Sequence, residues 1–106
     1  MKEKNYYIYM LRCADNSIYT GITTDLSRRV QEHKEEKEKC AKYTLRHHMV
    51  SLEAGWKTDN RSNASKLEYH LKHLSKIQKE SLIQKEISLK DLLETKLIIE
   101  NYKRIV

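Results

Sequence analysis

Tyr9, Tyr19, Arg29, His33 and Glu68 are the residues of this chain whose types could together manage a phosphate ester. A phenol orients water through its hydroxyl, but with an ordinary pKa near 10 it becomes a base only beside a cation such as Arg29 or a metal-bound water. A guanidinium fork matches the oxygens of a phosphate, and a half-buried arginine needs an anion, either a carboxylate or a ligand phosphate. Histidine exchanges a proton near neutrality. A single carboxylate at Glu68 is enough to hold one divalent cation when phosphate and water complete the shell. Such a cation would polarise a phosphate and stabilise a leaving oxygen. The same residues also admit a plainer reading, with the tyrosines as strand packing and Glu68 in an ion pair with Arg29 or Lys72.

The elements that must position these groups follow from local pattern. Residues 5–12 are dense in Tyr, Ile, Met and Leu, a strand composition. Ala14-Asp15-Asn16-Ser17 is turn chemistry, and Ile18 to Thr23 reads as a second strand of a hairpin. Tyr9 and Tyr19 share a face if the connecting loop has an odd residue count and oppose each other across a two-residue turn; the register stays open. Asp25 is a good N-cap for a helix over Leu26–Lys39. At ~100° per residue Arg29 and His33 lie about 60° and 20° from Leu26, while Arg28 lies about 160° away. Arg29 and His33 therefore face the sheet, and Arg28 faces solvent.

Further along, Met49–Trp56 reads as a third strand ended by Gly55 and the polar run Lys57–Asn63. Ala64, Leu67, Leu71 and Leu74 give a helix over Arg61–Leu74, with Glu68 at the edge of its apolar stripe. Ser75 can cap a helix through Ile87, and Ser88 another bearing Leu89, Leu92, Leu93 and Leu97. The expected fold is α+β, a small three-stranded antiparallel sheet flanked by helices in the order β-β-α-β-α-α. Residues 1–87 form the domain, and 88–106 a C-terminal helical extension packing on it as core cover rather than as a dimer seam, so a monomer is expected.

Composition narrows the function classes. The chain has 106 residues, no Pro, no Phe and two glycines, which leaves room for one modest core and no flexible linker. No apolar run approaches membrane-spanning length. Cys13 and Cys40 match neither a disulfide framework nor a metal knuckle, so no disulfide and a reducing cytoplasm are expected. A net charge of +6 favours a polyanionic partner. Lys42, Arg46, Lys57, Arg61, Lys66 and Lys72 are the candidate phosphate track, each otherwise a solvated surface charge.

As an ordered set these motifs resemble the GIY-YIG nuclease superfamily. Tyr7-Ile8-Tyr9 and Tyr19-Thr20-Gly21 stand at its two tripeptides, followed by Arg29 and His33. Ala41-Lys42-Tyr43-Thr44 and the run from Glu68 through Leu71-Lys72-His73-Leu74-Ser75 are similar to a subgroup of small, stand-alone, uncharacterised bacterial proteins. The resemblance covers roughly residues 5 to 87. It implies a divalent-metal-dependent phosphodiester hydrolase, an endonuclease acting on DNA, branched or damaged, in repair or recombination. It further implies that Tyr9 and Tyr19 position and activate water and that Arg29 stabilises charge on the phosphate. His33 would assist proton transfer or bind phosphate, Glu68 would hold Mg²⁺ or Mn²⁺, and Gly21 would let the backbone approach the site. Tyr7 departs from the family by replacing its first glycine, and Asn101, on the extension, has no assigned counterpart.

Two other readings stand beside this one. The first is a nucleic-acid-binding module of the same fold that cuts weakly or not at all. The second is a zinc-stabilised interaction protein built on His47, His48, His70, His73 and Cys40, although no spacing here matches a structural zinc signature.

Overall fold

A computed structural model describes residues 5–35 and 47–106. The central strand β1, Tyr6–Cys13, pairs antiparallel on one side with β2, Ile18–Thr23, and on the other with β3, Met49–Thr58. Arg12 lies opposite Ile18, so the odd-length segment 13–17 closes the hairpin. Asn16 takes a left-handed φ of 68° there, as Asn tolerates.

Two of the expected boundaries and the strand count need correction. Gly55 does not end β3; the strand runs on to Thr58, with Gly55 paired to Tyr9 in its interior. The sheet has four strands rather than three, in the order β2-β1-β3-β4. Its last member, β4, is the two-residue Lys103–Arg104, pairing with Trp56 and Lys57. The expected helix through Ile87 stops at Ile83 for a local reason. Lys85 adopts a φ of 64°, its N–H donates to the Leu82 carbonyl, and the Glu86 N–H donates to the Ser81 carbonyl. That is a Schellman stop built without glycine.

The helices begin where their caps dictate. In α1, Leu26–Lys34, the Asp25 carboxylate accepts from the Arg28 N–H at 3.1 Å, and Glu35 is the C-cap. The rest of the span expected for α1 lies outside the described residues. Asn60 caps α2, Arg61–Lys72; Ser75 with Gln78 closes a capping box on α3, Lys76–Ile83; and Ser88 with Asp91 does the same for α4, Leu89–Leu93. A short 3-10 turn, Ile99–Asn101, leads into β4.

The alternation of β1 divides the molecule. Ile8 and Met10 point into an apolar core with Ala54 and Trp56 of β3, Ala64, Leu67 and Leu71 of α2, and Leu82, Leu89, Leu93 and Leu97 beyond. Tyr9 points to the other face, toward α1. The C-terminal segment is fastened over Trp56. Arg104 stacks on the indole at 5.0 Å and donates to the Leu82 and Ile83 carbonyls, and the Tyr102 hydroxyl donates to the Asn63 carbonyl at 2.7 Å.

Candidate active site

On the α1 face the register places Gly21 of β2 and Gly55 of β3 directly opposite Tyr9, one on each side. Cross-strand partners share a face, so the Tyr9 ring has no side chain beside it in that row. It uses the space. A Cβ on residue 21 would lie 2.5 Å from the Tyr9 hydroxyl oxygen and 3.0 Å from a Tyr19 ring carbon. The backbone of Gly21 is not in a left-handed conformation, so what the position requires is room. Gly55 is less crowded: a Cβ there would find its nearest neighbour, a Val106 methyl, at 3.4 Å.

Tyr19 sits opposite Leu11, diagonal to Tyr9 on the same face, and the two rings are 6.2 Å apart. His33 descends from α1 between them, 5.7 Å from the Tyr9 ring and 5.4 Å from that of Tyr19. Its Nε2 lies 2.9 Å from the Tyr9 hydroxyl, and both side chains are sealed from solvent. Burial pulls the His33 pKa down to about 4, with the Arg29 charge adding to the effect and Glu32 opposing it. The imidazole is therefore neutral at physiological pH. Burial and the neighbouring Tyr19 push the Tyr9 phenol well above its ordinary range, whereas Arg29 pulls it down.

Arg29 is half-buried, and Arg28, one position along α1, is exposed. The Arg29 guanidinium donates to Glu32 at 3.2 Å and lies near enough to the Tyr9 phenol for each to shift the other's pKa. Burial alone would lower its pKa, yet these two partners leave it raised. Glu68, on α2, is close enough for its charge to raise the Tyr9 pKa. Its side chain is 24% exposed, and Lys72 Nζ stands 3.5 Å from its carboxylate. Tyr9, Tyr19, Arg29 and His33 thus converge, and Glu68 flanks them. Of the two ion pairs expected for Glu68, the one with Lys72 is formed, while Arg29 turns to Glu32.

The expected phosphate track is less unified. Lys42 and Arg46, like Cys40, lie outside the described residues. Lys57 is half-buried on β3, and Arg61, Lys66 and Lys72 are exposed on α2. At ~100° per residue Arg61 and Lys72 fall about 20° and 40° from Glu68, but Lys66 about 160° away on the far side. Among the described residues no three His, Cys, Asp or Glu side chains are grouped as a metal site. His47 Nδ1 donates to Asp15 at 2.5 Å, and His73 Nδ1 donates to the Tyr69 carbonyl at 2.7 Å. Cys13 is a buried free thiol. No helix of the described residues is long and apolar enough to cross a membrane.

The role of Gly55 beside Tyr9 escapes sequence reading. Its following polar run imitates a strand end, and only the β1–β3 register reveals the pairing.

Comparison with known proteins identifies the domain family. The model of the GIY-YIG catalytic domain matches residues 5–81. A UPF0213 protein of Fusobacterium nucleatum is 44% identical over 101 residues, covering 94% of this chain and 92% of its relative. One of Vibrio cholerae is 47% identical over 81 residues, 74% of this chain and 76% of its own. The solution NMR structure of a UPF0213 protein from Bacillus halodurans, 41% identical, superimposes with a TM-score of 0.50 over 77% of this chain and 85% of that one. Tripeptide strands, ring cluster and relatives coincide over the same stretch, and the chain belongs to the GIY-YIG catalytic domain family.

Proposed function

We propose that this protein is a divalent-metal-dependent endonuclease hydrolysing phosphodiester bonds of DNA, with branched or damaged DNA in repair or recombination as its substrate. The observation that carries the reading is the convergence of Tyr9, Tyr19, His33 and Arg29 on one face of the sheet, flanked by Glu68. Arg29, anchored by Glu32, is the guanidinium that would meet the phosphate. Tyr9 stays a neutral phenol and is almost as buried as His33. The half-buried Tyr19 is therefore the phenol that meets bulk water, and Tyr9 can act only on a water admitted beside it with the substrate. The Tyr9 proton can pass to Nε2 of the neutral His33 as the phenol oxygen accepts one from water. Burial and Arg29 disfavour the imidazolium that results, and Glu32 offsets them only in part, so the proton is held there briefly. His33 Nε2 is directed at the Tyr9 hydroxyl rather than outward, which favours the proton-transfer role over phosphate binding.

Glu68 is the residue that would hold Mg²⁺ or Mn²⁺. Its half-exposed carboxylate supplies one hard oxygen, and substrate oxygens and water supply the rest, a division these ions accept. When bound, the metal polarises the scissile phosphate and stabilises the leaving oxygen. A buried free thiol at Cys13 fits a reducing cytoplasm.

The raised Tyr9 pKa favours a second reading, a module of this fold that binds nucleic acid and cuts weakly. Incubation of branched, flapped and plain duplex DNA with Mg²⁺ or Mn²⁺ separates the two. Wild type should nick at least one substrate, and Glu68→Ala and Arg29→Ala should each lower the rate by about a hundredfold or more. Hydrolysis surviving both substitutions sinks the nuclease reading. Absence of cutting with steeply salt-dependent binding establishes the module.

A further inference from the structure

One step along β1 from Tyr9, on the same face, lies Tyr7, the residue that replaces the first glycine of the family motif. The register places Thr23 opposite it on β2 and Lys57 on β3, and Lys103 of β4 lies opposite Lys57. This is a continuous cross-strand row, Thr23–Tyr7–Lys57–Lys103, parallel to the row that holds Gly21, Tyr9 and Gly55. Two strand residues span about 7 Å, comparable with one nucleotide step along a polynucleotide backbone.

Tyr7 also lines a cleft of about 370 Å³ with Asn5, Thr24, Asp25 and Arg28. Within it the Asp25 carboxylate is engaged in capping α1. Arg28 is exposed, and among the described residues no acidic partner meets its guanidinium; the same holds for Lys57 and Lys103. Arg28 thus shares the cleft with the half-buried Tyr7 ring, Lys57 stands opposite Tyr7, and Lys103 extends the same row one strand farther, beside but outside the Tyr9 cluster. Arg28 and Arg29 are adjacent in sequence, yet helical phase sends one into the cluster and the other into the cleft.

We propose that Tyr7, Arg28, Lys57 and Lys103 form a subsite for the nucleotide adjoining the scissile phosphate. The Tyr7 ring packs on its sugar or base, and the three cations bind its phosphate and the next. Such a ring contributes by stacking without regard to base identity, and each cation contributes through counterion release. The subsite rests on the nuclease reading only for the position of the scissile phosphate. Its binding can be measured whether or not the protein cuts.

The test is fluorescence anisotropy with a short labelled DNA oligonucleotide of mixed sequence, in EDTA across a salt series. Arg28→Gln and Lys103→Gln should each reduce the slope of log K against log salt by about 0.7–0.9, whereas the exposed Lys96→Gln should leave it unchanged. Tyr7→Leu should weaken binding roughly fivefold or more, and Tyr7→Phe should restore it. Wild-type slopes in both cation variants overturn the subsite, even in a protein that cuts. Lowered slopes in a protein that never cuts uphold it and remove the nuclease reading instead. A wild type that binds no oligonucleotide at any salt overturns both. Should Tyr7→Leu lose its cooperative thermal transition, Arg28→Gln and Lys103→Gln, both exposed, decide the matter.

Discussion

The chain contains only two glycines, and both stand opposite Tyr9. They do so on unequal terms. At Gly21 an added methyl would fall 2.5 Å from a hydroxyl that is buried and bonded to His33, and a tyrosine ring cannot bend out of the way. Overpacking of this kind costs about 1–3 kcal/mol. At Gly55 the nearest atoms are 3.4 Å and farther, ordinary contact, and alanine narrows the unfolded ensemble. Gly21→Ala should therefore lower stability by about 2 kcal/mol and uncouple Tyr9 from His33, while Gly55→Ala should change it by less than about 0.5 kcal/mol. Urea denaturation of both variants checks the contrast, and equal losses would contradict it. The sequence shows that Gly21 follows a tyrosine on a strand. It does not show that the glycine's purpose is to admit a different tyrosine, because that contact depends on register.

Periodic elements were the most legible part of the fold. Helix phase assigns Arg29 inward and Arg28 outward because 3.6-residue geometry is local, and Asp25, Ser75 and Ser88 cap the helices they precede. What escaped is equally physical. The Schellman stop at Lys85 uses a residue type that rarely adopts its backbone, and β4 is too short to carry a period. Arg12 in β1 also gives no signal in sequence, yet it ties three elements together. Its guanidinium bonds both Glu80 oxygens, at 2.5 and 2.6 Å, reaches Glu53 at 3.2 Å, and touches Asn16 in the hairpin turn at 3.1 Å. Lys76 joins the same Glu80 at 3.3 Å. Removing one partner of a bidentate, partly buried pair leaves the other unsatisfied, so Glu80→Ala should cost about 2 kcal/mol. Arg12→Ala with Glu80→Ala should cost less than the sum of the singles. A double-mutant cycle on thermal unfolding reads the coupling, and strict additivity would dissolve the proposed tie.

For the molecule as a whole, acid should act in two stages. His33 titrates at about 4 in the native protein and near 6.5 when unfolded, so below pH 6.5 the unfolded chain binds the extra proton. Stability is then lost as pH falls from 6.5 through 4, by about 3 kcal/mol. Glu80 is held at about 2 by Arg12, with Lys76 assisting, and its contribution is intact above 4.5 and lost as pH falls toward 2. Urea midpoints measured against pH should show both limbs. His33→Gln should flatten only the upper limb, and a persistent upper limb would assign it elsewhere. The two stages report on opposite sides of one sheet, since β1 sends Ile8 and Met10 into the core and Tyr7 and Tyr9 to the candidate site. A single inserted or deleted residue in that strand would exchange the two sets, burying phenols among leucines and exposing the core. Along β1, descent can rewrite the letters but not the count.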